Sequence, residues 1–408
     1  MTLHQDGAPA GATTVTRDVP TGVVEGWAAP QFEPVVDEFV RGFHERGELG
    51  ASLCVVVDGA TVVDVWGGTA NERTAQPWER DTVAVAFSCT KGVTALCAHL
   101  LVARGELDLD APVGEVWPEY ARDGKERTTV RMMLDHSAGV PVLRGELADG
   151  ELYDWERMVA RLEAEPPFWA PGTRNGYHMI NFGWTVGELV RRVSGRSLGA
   201  FVQDEIARPL GLDLWIGLPE DVEPRVARIE PYRRARGEPL GPFALAVVED
   251  PASIPALALA NMGSFAVNSR ACRAAEIGGG GGVTNARGLA GMYAALATGG
   301  APLVGPDDVA RMQRISVATN LDATLRIPTR FTTGFMVSMD NRRVPGADSA
   351  VLGEHAFGHV GAGGSIGMAD PSTGLALGYV MNRQGPGILL NERGQAVVDA
   401  ADAALTAR

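Results

Sequence analysis

The chain has 408 residues, with 36 Lys plus Arg against 50 Asp plus Glu and a formal net charge of -14. That charge repels nucleic acid and anionic lipid, so neither is expected as a partner. No apolar run approaches the ~20 residues of a membrane-spanning helix. The Met1-Thr2-Leu3-His4-Gln5-Asp6 start has no basic stretch ahead of an apolar one, so no secretory signal is read and a cytosolic, cytoplasmic protein is expected. Cys54, Cys89, Cys97 and Cys272 lack CxxC spacing and are expected as reduced thiols.

Residues 1–25, rich in Gly, Ala, Thr and Pro without periodicity, read as a loose leader. From Gln31 to Arg46 the spacing of Phe32, Val35, Phe39 and Phe43 predicts a helix. Two β-branched runs, Cys54 to Val57 and Thr61 to Trp66, then flank Asp58-Gly59, the signature of a tight hairpin. Helical spacing follows from Thr82 to Arg104, carried by Val93, Leu96, Cys97, Leu100 and Leu101, with Gly105 as the stop. Residues 111–265 are rich in helix formers broken by Pro and Gly, with an amphipathic stretch from Thr185 to Val193. Beyond five consecutive glycines, Gly278 to Gly282, a helix is expected over Ala286 to Leu296. Strands are expected at Gly334 to Met339, Phe357 to His359, Ser365 to Ala369 and Leu375 to Asn382, and a closing helix at Glu392 to Thr406.

Strands at both ends of the chain around a helical middle predict an α/β (α+β) fold: an antiparallel sheet flanked by helices, with a mainly helical lobe inserted. The expected division is a leader at 1–25, an α/β lobe from 26–110 plus 266–408, and a helical lobe at 111–265. A cleft between the lobes is the expected site.

Ser88-Cys89-Thr90-Lys91 stands at the head of an apolar helix. Residues three apart share a helix face, so the Lys91 amine can lie beside the Ser88 hydroxyl, and burial would lower its pKa toward that of a base. The first-turn amides would favour an oxyanion. Pro171-Gly172-Thr173-Arg174-Asn175-Gly176-Tyr177 brings a tyrosine out of a loop ahead of a helix, where its phenol can act as phenolate or relay a proton. His359-Val360-Gly361-Ala362-Gly363-Gly364-Ser365 reads as a strand whose glycines admit a substrate closely.

In this order the three motifs resemble those of the serine β-lactamases of the cephalosporinase type, the penicillin-binding carboxypeptidases and their related esterases and acyltransferases, over about Phe32 to Asn382. The resemblance implies a β-lactamase/transpeptidase-like fold, Ser88 as acylated nucleophile, Lys91 as its proton acceptor and Tyr177 as the second-motif tyrosine. It also implies an oxyanion hole from the Ser88 and Ala362 amides, with His359, Gly361 and Met179 facing substrate. Two departures stand out. Met179 replaces the second-motif asparagine, and His359, mostly neutral at pH 7, replaces a lysine that attracts the lactam carboxylate. Both are similar to the pattern of the family VIII carboxylesterases and the acyltransferases. The expected partner is a small-molecule ester, thioester or amide, with no cofactor or metal needed. Hydrolysis, acyl transfer to an alcohol or amine, and a non-catalytic penicillin-sensing module all stay open, as does the oligomeric state.

Other signals receive structural readings. Gly363-Gly364-Ser365-Ile366-Gly367 matches GxSxG, but a turn and strand follow where a nucleophile elbow needs a helix. His136 reads as a histidine holding backbone groups, and the role of its counterpart His178, beside Tyr177, is open. The glycine run lacks a GK[ST] ending and is expected to be a flexible segment beside the cleft. Asp108 and Asp110 are expected to be solvated or capping, and Cys89 and Cys97 small core residues.

Overall fold

In the computed structural model, which describes residues 8–263 and 265–406, Asp58 and Gly59 both take left-handed backbone conformations, φ 51° and 77°. That turn joins β3 (Gly50–Val57) to β4 (Ala60–Asn71) as an antiparallel hairpin. All eight residues of β3 are buried. Leu53, Val55 and Val57 join one core, whereas Cys54 and Val56 join another on the opposite face. A strand covered on both sides reads as a continuous apolar run rather than an alternating one.

The leader expected to be loose is instead paired. Within its described part, β1 (Thr13–Val19) and β2 (Gly22–Ala28) form a hairpin that extends the sheet beyond β4. Residues 1–7 lie outside the described residues. Val15, Val19, Val24 and Ala28 are buried among the side chains of α1 (Glu33–Glu45) and its surroundings. None of the intervening positions is buried, and most are polar or exposed, so composition alone gave little sign of a strand.

The rest of the sheet comes from the C-terminal third: β5 (Val317–Thr319), β6 (Thr329–Phe331), β7 (Met336–Val337), β8 (Phe357–Val360), β9 (Ile366–Asp370) and β10 (Leu375–Met381). The order is β1-β2-β4-β3-β10-β9-β8-β7-β6-β5, with Gln76–Pro77 pairing on β4. The joint between the two halves is β3 against β10, from Val57 opposite Leu375 to Ala51 opposite Met381. The two ends of the chain therefore complete one sheet, an antiparallel sheet flanked by helices in an α/β fold.

Helices cover both faces. One face packs against α1 and the last helix, Glu392–Thr406, through Phe39, Phe43, Val397 and Val398. The other meets α2 (Cys89–Ala103) and Ala286–Ala297. Between them, residues 111–265 carry short helices and irregular backbone, including Trp155–Ala164 and Phe182–Ser194. Among the described residues no single helix is long and apolar enough to cross a membrane.

The helix expected from Thr82 begins only at Cys89. Ala84–Val85 pairs instead with Val283–Thr284 in a short three-stranded sheet, and Phe87 takes φ 48°, which a right-handed helix cannot accommodate. The β-branched residues Val83 and Val85 fit the strand better than the helix.

The last helix is tied to the sheet by a buried ion pair. Arg393 Nη1 lies 2.8 Å from Glu48 Oε1, both residues are almost wholly buried, and the Tyr379 hydroxyl donates to the same carboxylate. Arg393 Nη2 also donates to the Arg383 carbonyl at 2.7 Å. Removing one partner strands a charge that the low-dielectric interior cannot solvate. Arg393→Met is expected to destabilise the fold by about 3–5 kcal/mol in denaturant titration. The double variant Glu48→Gln with Arg393→Met should recover more than half of that loss; strict additivity would contradict the pairing.

Candidate active site

Phe87 turns the chain so that Ser88 arrives half-buried at the N-cap of α2. Lys91, one turn later, has no exposed surface. Its Nζ lies 3.0 Å from Ser88 Oγ and donates to the carbonyls of Met179 at 2.7 Å and Gly279 at 2.5 Å. With no carboxylate beside it among the described residues, burial holds the Lys91 amine well below its ordinary pKa.

Gly279 shows what the five-glycine run does. The expected flexible segment is buried throughout and closely packed. A side chain at Gly279 would stand 2.3 Å from the Ile180 carbonyl oxygen. The neighbouring Gly278 carbonyl accepts from Thr94 Oγ1 at 2.8 Å, and Gly282 N donates to Thr90 Oγ1 at 2.9 Å. The loop is a backbone seat for α2, and absence of side chains lets its carbonyl reach Lys91.

Tyr177 lies in the loop ahead of the Phe182–Ser194 helix, with its ring centroid 4.8 Å from Lys91 Nζ. It is buried, stacks on Phe331 with centroids 5.9 Å apart, and packs against His136 at 4.9 Å. Burial pushes its phenol up from the ordinary value, and a hydrogen bond with Ser88 pulls the other way. The phenol is thus the protonated form at neutral pH.

Met179 enters through its backbone, because its carbonyl accepts from Lys91 while the side chain is half-buried. The two nearby asparagines do not take over the missing amide. Asn181 Nδ2 donates to the Val140 carbonyl at 3.3 Å, and Asn175 Nδ2 to the Asp135 carbonyl at 2.8 Å.

His359 sits on β8, opposite Gly367 of β9. Its Nδ1 lies 2.7 Å from the Val360 carbonyl, which places the ring proton there. Nε2 is buried without a partner among the described residues. Burial, with repulsion from Lys91, pushes the imidazole down to about 3. Beyond β8, Gly361 N donates to Ser365 O at 2.7 Å, closing a tight turn around Ala362. A side chain on Gly361 would stand 2.3 Å from the Ala86 carbonyl oxygen, so only glycine lets this turn press against the segment entering Ser88. Among the described residues, nothing accepts a hydrogen bond from the Ser88 or Ala362 amide.

The remaining residues take structural places. His136 Nδ1 accepts from the His178 amide at 3.2 Å, as expected of a histidine holding backbone. His178 Nδ1 lies 2.8 Å from the Gly176 carbonyl, and burial pushes it down to about 4. Ser365 is wholly buried and leads into β9, not a helix. Asp108 accepts from the Asp110 amide, and Asp110 pairs with Arg131 at 2.7 Å. All four cysteines are free and buried.

Residues 35–402 match the family model described as Beta-lactamase. The chain is 35% identical over 373 residues to the esterase/beta-lactamase LipL of Mycobacterium tuberculosis, covering 88% of this chain and 83% of that one. A family VIII carboxylesterase structure superposes with a TM-score of 0.82 at 36% identity, covering 93% of this chain and 99% of the other. EstA from Arthrobacter nitroguajacolicus Rue61a gives 0.79 at 32% identity, over 93% and 98%. The chain therefore belongs to the β-lactamase-related family of hydrolases that includes the family VIII carboxylesterases.

Proposed function

We propose that this protein is a carboxylesterase acting on small or medium neutral esters through an acyl-enzyme at Ser88. The observation that carries this reading is the setting of Lys91. A neutral amine has two N–H groups and one lone pair. The carbonyls of Met179 and Gly279 take the two donors, leaving the lone pair for the Ser88 hydroxyl 3.0 Å away.

In the proposed cycle Ser88 Oγ attacks the ester carbonyl carbon while its proton passes to Lys91. The carbonyl oxygen becomes an oxyanion facing the unengaged amides of Ser88 and Ala362. The tetrahedral centre collapses, the C–O bond to the alcohol breaks, and the alcohol leaves with the proton held by the Lys91 and Tyr177 pair. Water then attacks the acyl carbon and gives its proton to the same pair. Ser88 takes that proton back as the carboxylic acid leaves. His359 and Met179 favour neutral esters, because neither offers a cation to a substrate carboxylate and the His359 imidazole stays neutral down to about pH 3.

Incubation with p-nitrophenyl butyrate should give a burst of nitrophenol and a butyryl adduct in the intact mass. Ser88→Ala should abolish both and lower turnover at least about 10⁴-fold; unchanged turnover would remove Ser88 from the mechanism. Added alcohols or amines that capture the acyl group faster than water would rename the enzyme an acyltransferase. A chromogenic cephalosporin should react roughly 100-fold more slowly than the ester, the worth of a missing charged hydrogen bond.

The pH profile follows from the same site. The reaction needs the unprotonated amine, and burial lowers its pKa. Activity should therefore rise as pH rises through that lowered value and be lost below it. His359 and His178, pushed down to about 3 and about 4, do not supply this limb. His359→Gln should leave the midpoint of the acid limb in place, and a shift of a full pH unit would assign the limb to the histidine.

A further inference from the structure

Lys91 is held by backbone carbonyls, but Tyr177 needs its own support, since it lies in a loop rather than a helix or strand. That support comes from the turn leading into β6. Tyr177 N lies 3.1 Å from both Asp322 Oδ1 and Asp322 Oδ2. The same carboxylate accepts from Thr324 N and Leu325 N, each at 2.8 Å, and from Thr329 Oγ1 at 3.2 Å. Asp322 has no exposed surface. Its hydrogen bonds bring donors, and no Lys or Arg neutralises it among the described residues.

The three backbone amides can only donate and so favour the carboxylate form, against burial, which raises the Asp322 carboxyl above its ordinary pKa. Burying such an anion without a cation is costly unless several hydrogen bonds replace water. A structural turn needs two of these bonds, to Thr324 and Leu325. The third backbone donor comes from Tyr177, 145 residues earlier in the chain.

The surrounding contacts point the same way. Ala323 N donates to the Asn175 carbonyl at 3.0 Å, and the Thr329 hydroxyl lies 3.3 Å from Asn175 Oδ1. Phe331, from β6, provides the surface on which the Tyr177 ring stacks. The backbone on one side and the ring on the other are thus fixed by a single segment, 322–331. Two fixed points leave little freedom to a phenol that must meet Ser88 and Lys91.

We propose that Asp322 is the positioning residue for Tyr177, its buried carboxylate clamping the Tyr177 amide so that the phenol meets the Ser88 and Lys91 pair. This rests on the acyl-enzyme reading above. Asp322 does not touch the reacting atoms; it acts through the tyrosine. Replacing it by Asn sets an NH2 group among the donors and loosens the loop without changing side-chain size.

The test is kinetics per active site, counted by the nitrophenol burst from p-nitrophenyl butyrate. In Asp322→Asn the burst amplitude per folded protein should persist, which shows that Ser88 still acylates. Steady-state kcat per titrated site should fall at least 10-fold with KM within 3-fold of the parent. A loss confined to burst amplitude or melting temperature, with kcat per site unchanged, would make Asp322 merely structural and overturn the proposal. Should that variant fail to fold, Thr329→Val removes one donor and keeps the charge. It should lower kcat per site about 3-fold at constant KM, and an unchanged kcat per site would overturn the proposal. Failure of the acyl-enzyme reading itself would appear separately, as no Ser88-dependent burst in the parent protein.

Discussion

The site depends on a lysine that cannot be hydrated. Lys91 lies wholly inside the protein, and what it receives in place of water is two carbonyl oxygens and one hydroxyl. Carbonyl dipoles hold an amine in place without neutralising an ammonium, as a carboxylate would. Burial disfavours the charged form, while the carbonyls keep the position. A buried carboxylate beside Lys91 would favour the ammonium instead.

Much of the architecture follows from delivering those two carbonyls. Met179 comes from the loop that also carries Tyr177, and Gly279 from the glycine run packed under α2. The helix is correspondingly buried from Cys89 to Leu101, so it holds the half-buried Ser88 at its N-cap while its side keeps Lys91 dry. The turn after β8 then comes close to Ala86, an approach that Gly361 permits. Each of these approaches is a backbone contact, which explains the density of glycine around the site.

The altered second and third motifs have local physical meanings. Met179 has no side-chain amide but keeps the carbonyl, so the lysine is still held. His359 keeps a polar ring on the strand yet stays neutral because it is buried beside Lys91. A second ammonium there would sit in the same dry pocket as the first, and the two would repel each other. The uncharged His359 thus adds no second cation beside Lys91.

Local patterns in the sequence determined a good deal. The Asp58-Gly59 turn, the buried β3 run and the closing helix Glu392–Thr406 follow from turn chemistry and periodicity, and the helical spacing around Lys91 placed it beside Ser88. The order of three motifs carried the family resemblance. Tertiary structure decided what depends on partners distant in sequence. Residues 13–28 became strands because an edge of β4 was available, and Ala84–Val85 left the helix to pair with Val283–Thr284. The glycine run became a rigid seat because α2 packs on it, and Asp322 reached Tyr177 across 145 positions. No local periodicity encodes a backbone amide meeting a carboxylate from another segment. Sequence alone could therefore name Ser88, Lys91 and Tyr177, but only the folded chain supplies the carbonyls and the carboxylate that hold them.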